Sequence, residues 1–349
     1  MYNNTIMKKL TLAIIGCGYW GPNFVRNFFQ AKGVRVKYAC DLNQERLAHI
    51  KELYPSIHTT RDYRQVLKDP GVEAVVVSTP AQSHYSIARD CLTYDKHVLV
   101  EKPIAMNVAE ARSLVTLSRK KRRVLMVGHT FKFNPAIAKL KELIESGALG
   151  RICYIYSRRT NLGPLRKDVN AMWDLAPHDV SIISYLLNSQ PLDVTARGKK
   201  FLEHNLEDVA FLTMSYPSNI FVHVHVSWLD PRKVREIIIV GNRKMAVFDD
   251  LDTKEPIKVY DKAVVKKRFG KHYDSFREFQ MIIKSGKTAA PRVRLQEPLK
   301  LECAHFLECV RKNKTPLTDG KDGLAVLTVM RALQESLEKD GALIKLQKG

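Results

Sequence analysis

No apolar run in the 349-residue chain approaches the roughly 20 residues that span a bilayer, so no membrane-spanning helix is expected. The first apolar stretch, Leu10 to Ile15, is too short for the core of a secretion signal, and nothing resembling a cleavage site follows it. It runs straight into a glycine turn and reads as a first strand; the polar segment Met1 to Lys9 precedes it, with Met7 as an alternative start. Cysteine is sparse: Cys17, Cys40, Cys91, Cys153, Cys303 and Cys309 are scattered, and no CxxC pair occurs. A disulfide framework is therefore not expected, and a reducing cytoplasm fits best. His305 with Cys309 at helical spacing, or His223 with His225 on one strand face, can hold a metal or simply pack. No third ligand stands at a recognisable spacing, so no metal is expected. Internal repeats and low-complexity segments are also missing.

Acidic residues are in short supply. Asp and Glu number 36 against 57 Lys and Arg, giving a net charge of +21. That excess implies an anionic partner, and nucleic acid or a phosphorylated or nucleotide-linked substrate explains the sign equally well. The charge is spread along the chain, with only short runs at Arg119 to Arg123 and Lys266 to Arg268. The first run ends a predicted helix, where cations complement the dipole. No nucleic-acid-binding motif is found, so nucleic acid is not an expected partner.

What is present has an ordinary globular balance, 45% hydrophobic and 27% charged residues, and enough length for two cores. Strands are predicted at Leu10–Ile15, Val34–Cys40, Ala74–Ser78, His97–Val100 and Val124–Val127, with helices at Pro22–Lys32, Gln44–Leu53, Ser83–Thr93 and Val108–Arg119. This alternation, with strands as apolar as Ala74 to Val77, predicts a parallel sheet with helices on both faces over residues 1–128. After Gly128 the rhythm changes. Helices are predicted over Pro135–Ser146 and from Trp173–Asp174 onward. Strands lie around Arg151–Arg159, Val194–Lys199, Asp208–Tyr216, Ile220–Ser227, Arg235–Val240 and Lys244–Asp249, and helices Leu299–Lys312 and Asp322–Lys339 close the chain. Consecutive strands without intervening helices predict an α+β second domain, 129–349, with a large, mostly antiparallel open sheet.

Gly16-Cys17-Gly18-Tyr19-Trp20-Gly21 joins the first strand to the first helix. Glycines here permit the tight turn and let the backbone approach a pyrophosphate seated on the helix N-terminus. Asp41 ends the second strand about 20 residues beyond Gly21, where a carboxylate bonds the adenosine ribose hydroxyls and repels a 2′-phosphate. The expected cofactor is NAD. Thr79-Pro80 closes the strand Ala74–Ser78 at the crevice of such a sheet; His84, at the start of the next helix, is equally a cap, a packing residue or a cofactor contact. Glu101-Lys102-Pro103 follows the strand His97–Val100, and the lysine by itself is a solvated charge or a positioned cation.

The order GxGxxG, acidic strand end, Thr79-Pro80 with His84, Glu101-Lys102-Pro103 and Asp174-x-x-x-His178 resembles the glucose–fructose oxidoreductase/inositol dehydrogenase/MocA family over nearly the whole chain. The resemblance implies that Lys102, Asp174 and His178 form the catalytic group, with Glu101 and Lys102 also near the cofactor. Oxidising a secondary alcohol needs a base for the hydroxyl proton, and histidine titrates near neutrality. Asp174, about one turn away, can fix its tautomer, and Lys102 can hold the substrate oxygen. Pro177 is expected near the helix start, which places the pair in the first turn.

Arg159, Asn161, Asn170 and Trp173, with His178 and Lys102, are the candidate substrate contacts. The stretch Trp173 to Asp179 looks like members acting on nucleotide-linked sugars, especially 3-dehydrogenases of UDP-N-acetylglucosamine or its uronate; Lys132, Arg159, Arg166 and Lys167 would then meet the diphosphate. An inositol or free-sugar dehydrogenase with the same machinery is the alternative, and a non-catalytic NAD- or sugar-sensing protein a third reading. The resemblance also implies a homodimer or homotetramer formed through the open sheet face, where Phe221 and Trp228 are expected.

Overall fold

The computed structural model describes residues 9–163, 166, 169–202, 205–261, 263–265, 282–284 and 286–346, the two three-residue pieces by backbone alone. The chain divides into two compact units, Met1–Phe133 with Gln296–Thr328, and Asn134–Leu295 with Val329–Gly349.

In the first unit the chain runs β1 (Leu10–Ile15), α1 (Gly21–Gln30), β2 (Val34–Cys40), α2 (Gln44–Leu53), β3 (His58–Thr60), α3 (Tyr63–Lys68), β4 (Ala74–Val77), α4 (His84–Thr93), β5 (His97–Glu101), α5 (Val108–Lys121) and β6 (Leu125–Gly128). The strands pair in the order β3-β2-β1-β4-β5-β6, and every pairing is parallel. This is the doubly wound order whose crevice opens beyond the carboxyl ends of β1 and β4. The expected parallel α/β sheet is therefore present, with one strand more than the sequence suggested. β3 is three residues at the sheet edge, too short for any hydrophobic period to register.

α1 forms because Pro22 suits a first turn and Phe24, Val25 and Phe28 recur on one face; all three are buried. That face meets α8 (Pro298–Lys312) from the far end of the chain, with Phe28 and Phe306 edge to face at 6.3 Å between centroids. Leu299, Cys303, Phe306 and Leu307 join the core of β1, β2 and α1. Sequence rhythm suggested one division, after Gly128; the compact units interleave instead, because the apolar stripe of α8 completes the first core rather than the second.

The second unit is built on a nine-stranded sheet in the order β16-β13-β12-β11-β7-β10-β9-β8-β17. Its strands are β7 (Ile152–Thr160), β8 (Asp193–Lys199), β9 (Val209–Tyr216), β10 (Ile220–Ser227), β11 (Val234–Gly241), β12 (Met245–Asp249), β13 (Ile257–Tyr260), β16 (Thr288–Ala289) and β17 (Ile344–Lys345); β14 (Ala263–Val265) and β15 (Ile282–Lys284) pair separately. β7 and β10 run parallel and the other pairs antiparallel, as the α+β reading expected.

Alternation sorts the side chains. Val222, Val224 and Val226 of β10 are buried on the face where α7 (Ala171–Leu187) packs on β7, β9 and β10; α6 (Pro135–Glu145) packs on α7 and β12. On the opposite face Tyr154, Tyr156, Phe211 and Phe221 are exposed, and Phe211 stacks on His225 at 4.4 Å. Trp228, expected on this open face, is only 1% exposed. It shares the parity of the buried valines, and its indole N–H donates to Asp174. α9 (Gly320–Glu338) begins in the first unit and ends in the second. Among the described residues no helix is long and apolar enough to cross a membrane.

Candidate functional site

The glycine turn is shaped by backbone packing. Gly16 has φ +98°, and a Cβ there would stand 2.5 Å from the Ser78 carbonyl carbon; a Cβ on Gly21 would stand 2.2 Å from the Gly16 oxygen. Both positions must be glycine for β1, β4 and α1 to close together. Gly18 differs: its Cβ would meet only Arg46 Nη1, at 3.6 Å. The turn therefore offers open backbone at Gly18, beside the start of α1, which has no side-chain cap and no acidic residue in its first turn. That is the cradle a pyrophosphate requires. Tyr19 and Trp20 flank it, exposed and edge to face at 5.4 Å.

Asp41 stands at the end of β2 as expected. Its Oδ2 accepts the Cys17 N–H at 2.6 Å and its Oδ1 the Asn43 N–H at 2.8 Å. Each oxygen keeps a second lone pair for a ribose hydroxyl. Arg46, 3.7 Å from the carboxylate, was not foreseen; it lies on α2, beyond the reach of the strand–turn–helix pattern. Burial, with Asp41 beside it, pushes the Cys17 thiol up to about 12, so it stays protonated and inert.

At the end of β4, Ser78 Oγ donates to the Gly16 carbonyl at 2.8 Å, and Ser83 Oγ donates to Thr79 Oγ1 at 2.8 Å. Pro80 precedes the short turn leading into α4. His84 is buried, with Nδ1 2.7 Å from the Pro103 carbonyl oxygen and Nε2 2.8 Å from that of Thr79. Carbonyls only accept, so both bonds form together only in the imidazolium. Burial, with the Lys102 charge adding to it, nevertheless holds its pKa below the ordinary value. Both ring nitrogens are thus turned to backbone, and His84 links the β4 loop to the Glu101-Lys102-Pro103 loop.

Glu101 is the last residue of β5. Its Oε2 accepts the Lys102 N–H at 3.1 Å, and burial raises its pKa to about 7 against the opposing pull of Lys102.

In the second unit, Asp174 and His178 lie four residues apart on α7 and so share a face. Asp174 accepts from the Trp228 indole N–H and from Arg166, each at 3.2 Å. Pro177 is not at the helix start: α7 begins at Ala171, and Pro177 lies in its interior. There it cannot donate to the Trp173 carbonyl. Asn170 caps the helix, accepting the Trp173 N–H at 3.0 Å, which is why the helix starts earlier than the aromatic-acidic pair suggested. Asp174 alone falls in the first turn.

Several expected substrate contacts prove to be engaged within the protein. Arg159, 4% exposed, donates from Nε to Asp179 at 2.7 Å. Lys132, also 4% exposed, pairs with Asp322 at 2.5 Å. Asn170 is buried, its amide on Glu207 at 2.9 Å, and the Trp173 indole donates to Gln334 at 2.8 Å. Asn161 is half-buried, its N–H on the Ser227 carbonyl at 3.1 Å. Arg166 stays half-exposed; Lys167 and the run Lys266 to Arg268 lie outside the described residues.

His305 is occupied as well, its Nε2 accepting the Leu317 N–H at 2.9 Å and lying 3.4 Å from Cys309 Sγ. Among the described residues no group of three or more His, Cys, Asp or Glu side chains is placed to hold a metal.

Comparison with known proteins agrees with this architecture. Residues 10–129 match the family model described as oxidoreductase family, NAD-binding Rossmann fold, and residues 137–247 match the GFO/IDH/MocA C-terminal domain. Myo-inositol 2-dehydrogenase of Thermotoga maritima is 23% identical over 340 residues, covering 95% of this chain and 97% of its own. The scyllo-inositol 2-dehydrogenase (NAD(+)) of Bacillus subtilis is 24% identical over 351 residues, covering 97% and 96%. Among solved structures, UDP-N-acetylglucosamine 3-dehydrogenase GnnA of Acidithiobacillus ferrooxidans superposes with a TM-score of 0.79 at 21% identity, covering 95% of this chain and 98% of that one. The chain therefore belongs to the GFO/IDH/MocA oxidoreductase family and carries its NAD-binding Rossmann domain.

Proposed function

We propose that the protein is a sugar dehydrogenase that oxidises a secondary hydroxyl of a nucleotide-linked sugar, C3 of UDP-N-acetylglucosamine or its uronate, to a 3-keto sugar. The observation carrying this reading is the set Lys102, Asp174 and His178 in family order on these two units. Bound NAD supplies the hydride acceptor, with Gly16, Gly18, Tyr19, Trp20, Gly21, Asp41, Thr79 and Pro80 as the residues around it. His178 takes the hydroxyl proton and Asp174, held by Trp228, orients it. Lys102 holds the substrate oxygen and favours its developing negative charge. The relation to GnnA supports a nucleotide-linked substrate.

A free polyol such as an inositol is the second reading, favoured by a specific observation. Lys132 and Arg159, two of the four cations expected at a diphosphate, are engaged by Asp322 and Asp179, and both relatives described above that match in sequence are inositol dehydrogenases by name. Screening nucleotide sugars and inositols by NADH absorbance separates the two: reduction with UDP-N-acetylglucosamine supports the first, and reduction with inositols alone replaces it. The exposed Tyr154, Tyr156, Phe211 and Phe221 support association of two or four copies through the open sheet face. Six free cysteines fit a reducing cytoplasm.

A further inference from the structure

Three cations of the polar, basic stretches differ in how firmly they are held. Arg159 with Asp179 and Lys132 with Asp322 are ion pairs whose cations are buried. Arg166 with Asp174 is an open pair: the two side chains are 43% and 23% exposed, and Arg166 Nη1 lies 3.2 Å from Asp174 Oδ1. The buried pairs are closed to a ligand, because drawing either partner away strands a charge out of reach of water. The open pair is exchangeable. Exposed ion pairs add little to stability, so an anion arriving from solvent takes over the guanidinium while water takes over the released Asp174 oxygen.

Asp174 does not depend on Arg166 for its place. It lies in the first turn of α7, behind the Asn170 cap, and its Oδ2 accepts the indole N–H of the buried Trp228 at 3.2 Å. The start of that helix also favours negative charge nearby. A guanidinium suits the exchange, since its planar fork meets a phosphate or a carboxylate with two parallel bonds. We propose that Arg166 is a specificity-determining residue, which leaves Asp174 for an anionic group of the substrate, a phosphate or carboxylate oxygen, and so selects charged sugars over neutral polyols.

This inference rests on the nucleotide-sugar reading above and deepens it. The engagement of Lys132 and Arg159 by buried carboxylates then no longer counts against a charged substrate, because Arg166 supplies the cation. With a neutral polyol the guanidinium has no better acceptor than Asp174 and stays there.

The test compares the wild type with Arg166→Gln and Arg166→Lys in the full chain with NAD present. KM is measured for UDP-N-acetylglucosamine and for its uronate, and the affinity for UDP alone is measured by titration calorimetry. Loss of a hydrogen bond to a charged group corresponds to about tenfold or more. Arg166→Gln should therefore raise KM at least that far with a much smaller change in kcat, and Arg166→Lys, which keeps the charge, should recover part of the loss. UDP bound about tenfold more weakly by Arg166→Gln identifies the diphosphate as the anion. Unchanged UDP affinity with KM raised for the uronate alone identifies the carboxylate. KM unmoved for both sugars overturns the inference, as does a fall in kcat alone, which would make Arg166 merely a partner of Asp174. Failure of the wild type to turn over either nucleotide sugar refutes the reading above instead. Arg166 is then decided by UDP binding: a tenfold loss in Arg166→Gln upholds an anion site, and equal binding or none overturns it.

Discussion

Arg159 separates a structural from a substrate-binding cation, and its replacement has a calculable consequence. Its Nε and Nη2 donate to Asp179 at 2.7 and 3.3 Å, and Ser157 Oγ donates to the same carboxylate at 2.7 Å. The two charged side chains are 5% and 1% exposed. Arg159→Met leaves Asp179 buried beneath the sheet with Ser157 as its remaining described partner. Breaking a buried pair in this way costs about 3–5 kcal/mol, whereas an exposed pair contributes about 0–1 kcal/mol. With a urea dependence of roughly 1–3 kcal/mol per molar, the unfolding midpoint should fall by about 1 M or more. Arg159→Met combined with Asp179→Leu should recover most of the loss, because no unpaired charge remains. Urea unfolding followed by circular dichroism measures both variants. A single variant with the wild-type midpoint and a KM for substrate raised about tenfold would refute the structural assignment and return Arg159 to the substrate.

Three further outcomes follow from the same geometry. Gly18→Ala should fold normally and weaken NAD binding, while Gly16→Ala and Gly21→Ala should lower the melting temperature or fail to fold, since their methyl groups would meet backbone at 2.5 and 2.2 Å; thermal melts with NAD titration distinguish them. Glu101, raised to about 7 in the fold from about 4.3 in an unfolded chain, binds more protons folded than unfolded between those values. Its contribution, about 4 kcal/mol at most, is present below about pH 4 and lost as pH rises through 7, so Glu101→Gln should flatten that decline in melting temperature. Tyr156→Glu with Phe221→Glu on the open face should yield monomers in sedimentation velocity if copies associate there; unchanged association would move the contact elsewhere.

Local pattern carried much of the fold. β1, β2 and α2 have the bounds expected from the sequence, the start of α2 being fixed by the Asn43 side chain, which accepts the Glu45 and Arg46 N–H groups, and the glycine turn with Asp41 marks the crevice of the first sheet. What escaped depends on partners remote in sequence. Lys132 reads as an available cation until Asp322, 190 residues away, is seen to hold it. Trp228 reads as an exposed aromatic until its strand parity and its bond to Asp174 place it inside. Pro177 argued for a helix start because an interior proline is costly, yet the Asn170 cap fixes the start at Ala171. Glu302 carries no local signal: a lone glutamate on an amphipathic helix resembles its solvated neighbours until α8 turns it into the first core.

In the proposed reaction Lys102, Asp174 and His178 turn the NAD-binding fold into a sugar dehydrogenase. The most direct test follows NADH absorbance when purified protein and NAD meet UDP-N-acetylglucosamine, with His178→Asn alongside. The wild type should reduce NAD, and the variant should still bind NAD with turnover lowered about 100-fold or more. NAD binding without turnover on any nucleotide sugar or inositol, or full turnover by His178→Asn, would contradict it.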